Sequence, residues 1–164
     1  MTSAVAITLC ILLLLAAWSD VRGRVLPNWL AGLILLTAIA GGLFTQDWAA
    51  LGYGLAHAAV ALAVGFGLFA IGWIGGGDAK TYAALAASIP ISSALSLMLW
   101  VAIAMFAVAF PWIIISRMRR RALEGTPEEL KGEDRYAKIP LGVAIAAGGM
   151  AQIWTSCQAC AAAF

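Results

Sequence analysis

Two carboxylates stand apart in this chain: Asp20, which closes the first apolar segment, and Asp78, at the end of the run Gly75-Gly76-Gly77-Asp78-Ala79-Lys80. An ionisable residue at the edge of a bilayer, or inside it, is costly to hold there and marks a functional site by default. A triple glycine beside one of them is a place where backbone can approach other groups closely. Two carboxylates that share a site cannot easily both ionise, so such a pair holds one proton near neutrality. It then offers one general base to activate a water and one general acid to assist a leaving amine. Lys80 and the positive end of a helix that starts near Asp78 favour its charged form, against desolvation. The plainer alternative is structural: Asp78 as the N-cap of the next helix, a favoured position for Asp, and Asp20 paired with Arg22 or Arg24.

What must position these acids is a set of membrane helices. Of 164 residues, 63% are hydrophobic and only 11% charged, against roughly 45–50% and about 25% in a soluble domain. The fold class expected is all-α: a single polytopic domain over 1–164 with six transmembrane helices. A span needs about 20 apolar residues. Runs of that kind lie near Ser3–Trp18, Asn28–Phe44 (behind Pro27), Trp48–Trp73, Ala94–Ser116 and Ile139–Thr155. The fourth segment, Ala79–Ile89, is short; at 1.5 Å per residue it reaches roughly 16 Å, half a hydrocarbon core. Pro90 ends it, and Asp78 at its start should lie in a recess. Pro111 is expected to kink the fifth helix. The N-terminus has no basic n-region, so the first run reads as a retained helix and not a cleaved signal.

Charge distribution orients the passes. With six of them, all ten Lys and Arg fall on one side: Arg22 and Arg24 in the first link, Lys80 after the glycines, and the remaining seven in the hydrophilic loop 117–138. The opposite side carries Asp47. The positive-inside rule assigns the basic side to the cytoplasm and both termini to the outside. Asp20 and Asp78 then share the cytoplasmic face. Trp18, Trp29, Trp73 and Trp112 fit an inner aromatic belt, and Trp48 and Trp154 an outer one. His57 reads as a packed interhelical residue and Cys10 as an inert one. Cys157 and Cys160 read as inert or disulfide-linked. In the loop, Thr126-Pro127-Glu128-Glu129 reads as a capping box, with Gly132 as a helix stop. Its acids Glu124, Glu128, Glu129, Glu133 and Asp134 form a solvated face, or a surface for a basic peptide.

The motifs Leu26-Pro27-Asn28 after Asp20, Gly75-Gly76-Gly77-Asp78-Ala79-Lys80, and Lys138-Ile139-Pro140-Leu141-Gly142-Val143-Ala144 together resemble the type IV prepilin peptidases. These are intramembrane aspartic peptidases of the GxGD kind. The resemblance is greatest to the short form of tight-adherence (Flp-type) pilus systems, and it runs through nearly the whole chain. It implies that Asp20 and Asp78 are the catalytic pair and that Gly75 and Gly77 are the motif glycines. It also implies that Gly75, Gly76, Gly77, Lys80, Pro140 and Gly142 meet the substrate. Leu26 stands where the family often has isoleucine, and Leu141 where it often has an aromatic residue. The large insert with two Cys-x-x-Cys pairs that long members use for N-methylation is absent.

The implied activity is therefore cleavage of a prepilin or pseudopilin leader after a glycine, at the bacterial cytoplasmic membrane, without methylation. Its expected partners are that substrate, membrane lipid and pilus assembly proteins. No nucleic acid, no cofactor and no metal is called for. Two rival readings are a small ion channel or transporter with acids along its path, and an inactive scaffold of pilus assembly. A path should carry polar residues through the bilayer depth, whereas these acids cluster at one face.

Overall fold

A computed structural model describes residues 2–122 and 140–162, with side chains at 2–118 and 140–158. The described residues form α1 (Ser3–Gly23), α2 (Asn28–Thr45), α3 (Trp48–Ala70), α4 (Gly76–Ala86), a 3-10 turn (Ile91–Ser93), α5 (Ala94–Ala122) and α6 (Leu141–Ala162). There is no strand among them. Helices α1, α2, α3 and the stretch Ile91–Met118 are long and apolar enough to cross a membrane. Helix α6 has 22 residues. Helix α4 has 11, a rise of about 16 Å. The expected loop 117–138, its capping box and its acidic cluster fall mostly outside the described residues, as does the side chain of Cys160.

Large apolar side chains point outward: Leu14, Phe44, Phe66 and Phe106 are 56%, 84%, 67% and 78% exposed. Water would not tolerate that surface, but hydrocarbon does, because the backbone polar groups are satisfied within the helices. All-α and membrane-embedded is therefore the architecture of this chain. Inside, Leu9, Leu13, Ile34, Leu85 and Leu97 are fully buried. A polar clamp joins two of the helices, from the Ser96 hydroxyl of α5 to Gln152 Oε1 of α6 at 2.7 Å.

Helix α4 lies within the bundle, packed against α2, α3 and α6. Its sequence explains why it can. Ala79, Ala83, Ala84 and Ala86 are buried, and small residues let helix backbones come close where lipid gives no hydrophobic drive. Glycines on the partner helices complete the fit. A Cβ built on Gly65 would stand 3.0 Å from that of Ala79, and one on Gly54 would strike the Ala87 carbonyl.

An approach of the same kind joins α5 and α6. A Cβ at Gly148 would stand 2.5 Å from Val101 Cα and 2.6 Å from its nitrogen. Only a shift of the whole helix relieves contact with backbone. Gly148→Ala should therefore destabilise the protein by about 1–3 kcal/mol, as overpacking does elsewhere. Gly52→Ala, where an added Cβ meets nothing, is the control. Thermal unfolding in detergent distinguishes them; equal melting of Gly148→Ala and wild type would mean that α5 and α6 do not pack this closely.

Two helix ends differ from expectation in ways that matter for the acids. Helix α1 continues past Trp18 to Gly23 because Arg24, in the left-handed region at φ 54°, caps it and donates its N–H to the Asp20 carbonyl. Asp20 thus sits in the last helical turn, not beyond it. Helix α4 starts at Gly76, earlier than Ala79, with Gly75 as its extended N-cap at φ −75°, ψ 144°. Asp78 is then the third residue of the helix and not its cap. Helix α5 runs on through Pro111 to Ala122.

Candidate active site

Helices α1 and α4 both pack against α2 and α6, and this shared contact brings Asp20 and Asp78 near enough for their charges to interact. Asp20 is 7% exposed. Its carboxyl meets the start of α6: Oδ2 accepts from the Val143 N–H at 3.3 Å, and the Gly142 backbone supplies a second bond. The first N–H groups of a helix have no partner within it and carry the positive end of its dipole, so they form a natural seat for a carboxylate. Pro140 precedes them in a buried position, where its missing N–H costs nothing.

Gly142 makes this seat possible. A Cβ there would lie 2.8 Å from Asp20 Oδ2 and 2.9 Å from its Cβ and Cγ. The charge of Arg24 also acts on Asp20, and the Arg24 guanidinium lies 4.7 Å from the centre of the Trp112 ring.

Asp78 is half-buried. Its carboxyl accepts from the N–H of Gly75, the cap of its own helix, and feels the charge of Asp20. The third helical residue reaching back to the cap is one half of a capping box. The structural alternative weighed from sequence is thus partly present: Asp78 supports the start of α4, but from inside the helix.

The three glycines divide their work. A Cβ on Gly75 would come 2.7 Å from Asp78 Oδ2, and one on Gly77 would come 3.1 Å from Leu26 Cβ and 3.2 Å from its carbonyl. Gly76 has only the Phe69 ring, at an ordinary 3.4 Å. Side chains at the first and third positions would therefore press on Asp78 and on Leu26, whereas one at the middle position would meet only the Phe69 ring at ordinary contact distance.

The link between α1 and α2 belongs to the same construction. Leu26 packs on Gly77, and the next helix begins with Asn28, whose Oδ1 accepts from Lys80 Nζ at 3.1 Å. Ser19 donates to the Val25 carbonyl at 2.8 Å and holds the link against α1. Leu26-Pro27-Asn28 and Lys80 thus lock the beginning of α4 to the end of α1, and so set the position of one acid relative to the other.

His57 is 3% exposed, and its Nδ1 donates to the Ile89 carbonyl at 2.9 Å, since a carbonyl can only accept. It is interhelical, as expected. Cys10 and Cys157 are free, half-buried thiols.

What sequence reasoning missed is the seat of Asp20 on α6. The last motif points to it only through Pro140 at a helix start and a glycine, Gly142, in the first turn. That combination exposes backbone N–H groups but does not say which acid they meet.

Comparison with known proteins follows the same residues. A sequence profile described as the type IV leader peptidase family matches residues 7–113, a stretch that holds Asp20, Leu26-Pro27-Asn28 and Gly75 to Lys80. No curated protein and no solved structure matches the chain. With the profile covering more than half of its length, the chain belongs to the type IV leader peptidase family and is a membrane-embedded peptidase.

Proposed function

We propose that this protein is an intramembrane aspartic endopeptidase of the GxGD kind that removes the basic leader of a Flp-type prepilin after a glycine. The observation that carries this reading is the convergence of two carboxyls from different helices at one site, Asp20 seated on the first N–H groups of α6 and Asp78 beside it. One carboxylate takes a proton from the attacking water; the other, protonated, gives its proton to the leaving amine as the peptide bond breaks. Donors and charges already in place spare the site reorganisation during the reaction.

The membrane is the bacterial cytoplasmic membrane, with the site on the cytoplasmic side and both termini outside. Supporting this are the ten basic residues assigned to that side and the exposure of Trp48 and Trp154 towards the other. Cleavage proceeds without N-methylation: the link from Arg24 to Pro27 between α1 and α2 leaves no room for the cysteine-bearing insert of long members. The substrate's apolar helix partitions into lipid, and its leader reaches the acids from the cytoplasm, with pilus assembly proteins taking the mature subunit.

The substrate backbone passes the glycine turn at Gly76, where an added Cβ would meet only the Phe69 ring, with the exposed Lys80 nearby. Gly76→Val should lower kcat/KM about tenfold, the effect of one lost hydrogen bond, at unchanged melting temperature. Unimpaired cleavage would remove Gly76 from the substrate path.

The test of the function as a whole is a cleavage assay. The purified protein, in lipid, is mixed with a prepilin that carries its leader, alongside Asp20→Asn and Asp78→Asn. A wild type that cuts and single variants that do not are the expected outcome. A wild type that never cuts, or variants that cut normally, would end the aspartic reading.

A further inference from the structure

The bundle leaves a slot of about 440 Å³ that runs away from Asp78 between the helices. Its walls are α3 and α5, which scarcely touch each other. Val60 and Val64 on one wall, and Leu95 and Met98 on the other, are 53%, 57%, 63% and 56% exposed. Tyr82 of α4 and Ile145 of α6 line its floor. The slot therefore opens sideways towards hydrocarbon. Its size is that of an ordinary ligand pocket.

Both ends carry a polar group. At one end stands Asp78, a candidate reacting acid; His57 lines the slot further along α3. The Nδ1 of His57 is held by Ile89, and its Nε2 has no partner among the described residues. No fully enclosed side-chain nitrogen or oxygen among them lacks a partner, so Nε2 is not sealed in, and the slot is the cavity that His57 lines. With the proton on Nδ1, the neutral ring presents a lone pair there.

The spacing follows from helix geometry. Gly65 packs on Ala79, the neighbour of Asp78, and His57 lies eight residues back along α3, a separation of about 12 Å or two turns.

We propose that this slot receives the apolar helix of the peptidase's own substrate from the lipid, with the cleaved bond at Asp78 and a hydrogen-bond donor on that helix meeting His57 Nε2. The proposal rests on the aspartic peptidase reading. Three observations select this occupant: the slot is lined by a reacting acid, it opens to hydrocarbon and not to water, and its wall carries one acceptor that an acyl chain cannot satisfy. The matching donor is a Ser or Thr hydroxyl, roughly six to ten residues beyond the cleaved bond, fewer where the chain is stretched at the bond itself. Interhelical hydrogen bonds in membranes are modest, so placing that hydroxyl correctly should lower KM about three- to fifteen-fold.

The experiment has two parts, both with the full chain in lipid vesicles. In the first, Val64, Met98 or Leu62 is replaced by benzoylphenylalanine in an Asp20→Asn background, which retains uncut prepilin. Capture of the substrate helix from Val64 and Met98, but not from Leu62 on the α2 side of α3, is expected. Capture from Leu62 alone, capture of lipid alone, or capture of a second copy of the chain overturns the docking site. In the second, prepilins with a single Thr moved along the helix are compared. Wild type should show a KM minimum within the stated window and His57→Leu a flat profile; a flat wild-type profile, or a minimum that survives in His57→Leu, overturns the role of His57. Parallel cleavage by the unmodified wild type separates the two levels. A wild type that cuts while the probes fail refutes only the slot, whereas one that never cuts refutes the peptidase reading beneath it.

Discussion

Replacing Asp20 with Asn, or Asp78 with Asn, is expected to lower leader cleavage about 10²–10⁴-fold, the range that a positioned general acid or base contributes. Each substitution keeps the shape of the side chain and an oxygen that can accept a hydrogen bond. At Asp20 the bond from the Val143 N–H is retained, so the start of α6 should stay in place and the melting temperature should move little. The double variant should be no slower than the worse single one, because two groups that act as a unit are not additive. Single-turnover cleavage in detergent, with unfolding measured on the same samples, gives both readouts. Losses that add in the double variant would show that the two acids act separately, and a loss that tracks unfolding would make them structural.

Gly142→Ala tests the same site without touching a carboxyl. The added Cβ would press on the Cβ and Cγ of Asp20 as well as on Oδ2, so rotation of the carboxyl alone cannot relieve it. Asp20 or the first turn of α6 has to move. A displacement approaching an ångström at a reacting group costs about 10²-fold in rate, and that is the expected fall in kcat, with KM little changed. Gly75→Ala is the instructive comparison. There the nearest atom is Asp78 Oδ2, and Cγ stays 3.7 Å away, so the tip of the side chain can turn aside. Its loss should be nearer tenfold. If Gly142→Ala were as active as wild type, the position of Asp20 against α6 would be wrong.

These expectations bear on how the sequence should be read. The membrane character, the helices and the two acids were visible because each depends on local content: apolar runs of spanning length, breaks at Pro and Gly, and carboxylates where a bilayer makes them costly. Helix ends were less visible. Asp20 was expected to end α1, but a left-handed Arg24 carries the helix another turn. Glycine is the poorest ordinary helix former, so α4 was expected to begin after the glycine run, yet it begins within it. There the cost is met by packing: Gly77 fits against Leu26, and the small residues behind it against α2 and α3.

Roles that come from close approach were hidden altogether. Nothing in a one-dimensional run of glycines tells that Gly75 makes room for Asp78 and Gly77 for Leu26 while Gly76 lies against the Phe69 ring. Likewise Lys80 was read beside Asp78 for its charge, whereas its ammonium binds Asn28, which is remote in the chain but adjacent in the bundle.

The sequence by itself determined that this protein is a bundle of apolar helices with two acids at helix ends, since hydropathy and charge are properties of short segments. That the acids lie within reach of each other's charge, that one is seated on the first N–H groups of α6, and that α3 and α5 stand apart over a slot ending at Asp78 were decided only by tertiary packing. Such contacts depend on which helix faces which, and lipid, equally hospitable to every apolar face, leaves that choice to the fit of small residues and a few hydrogen bonds between helices.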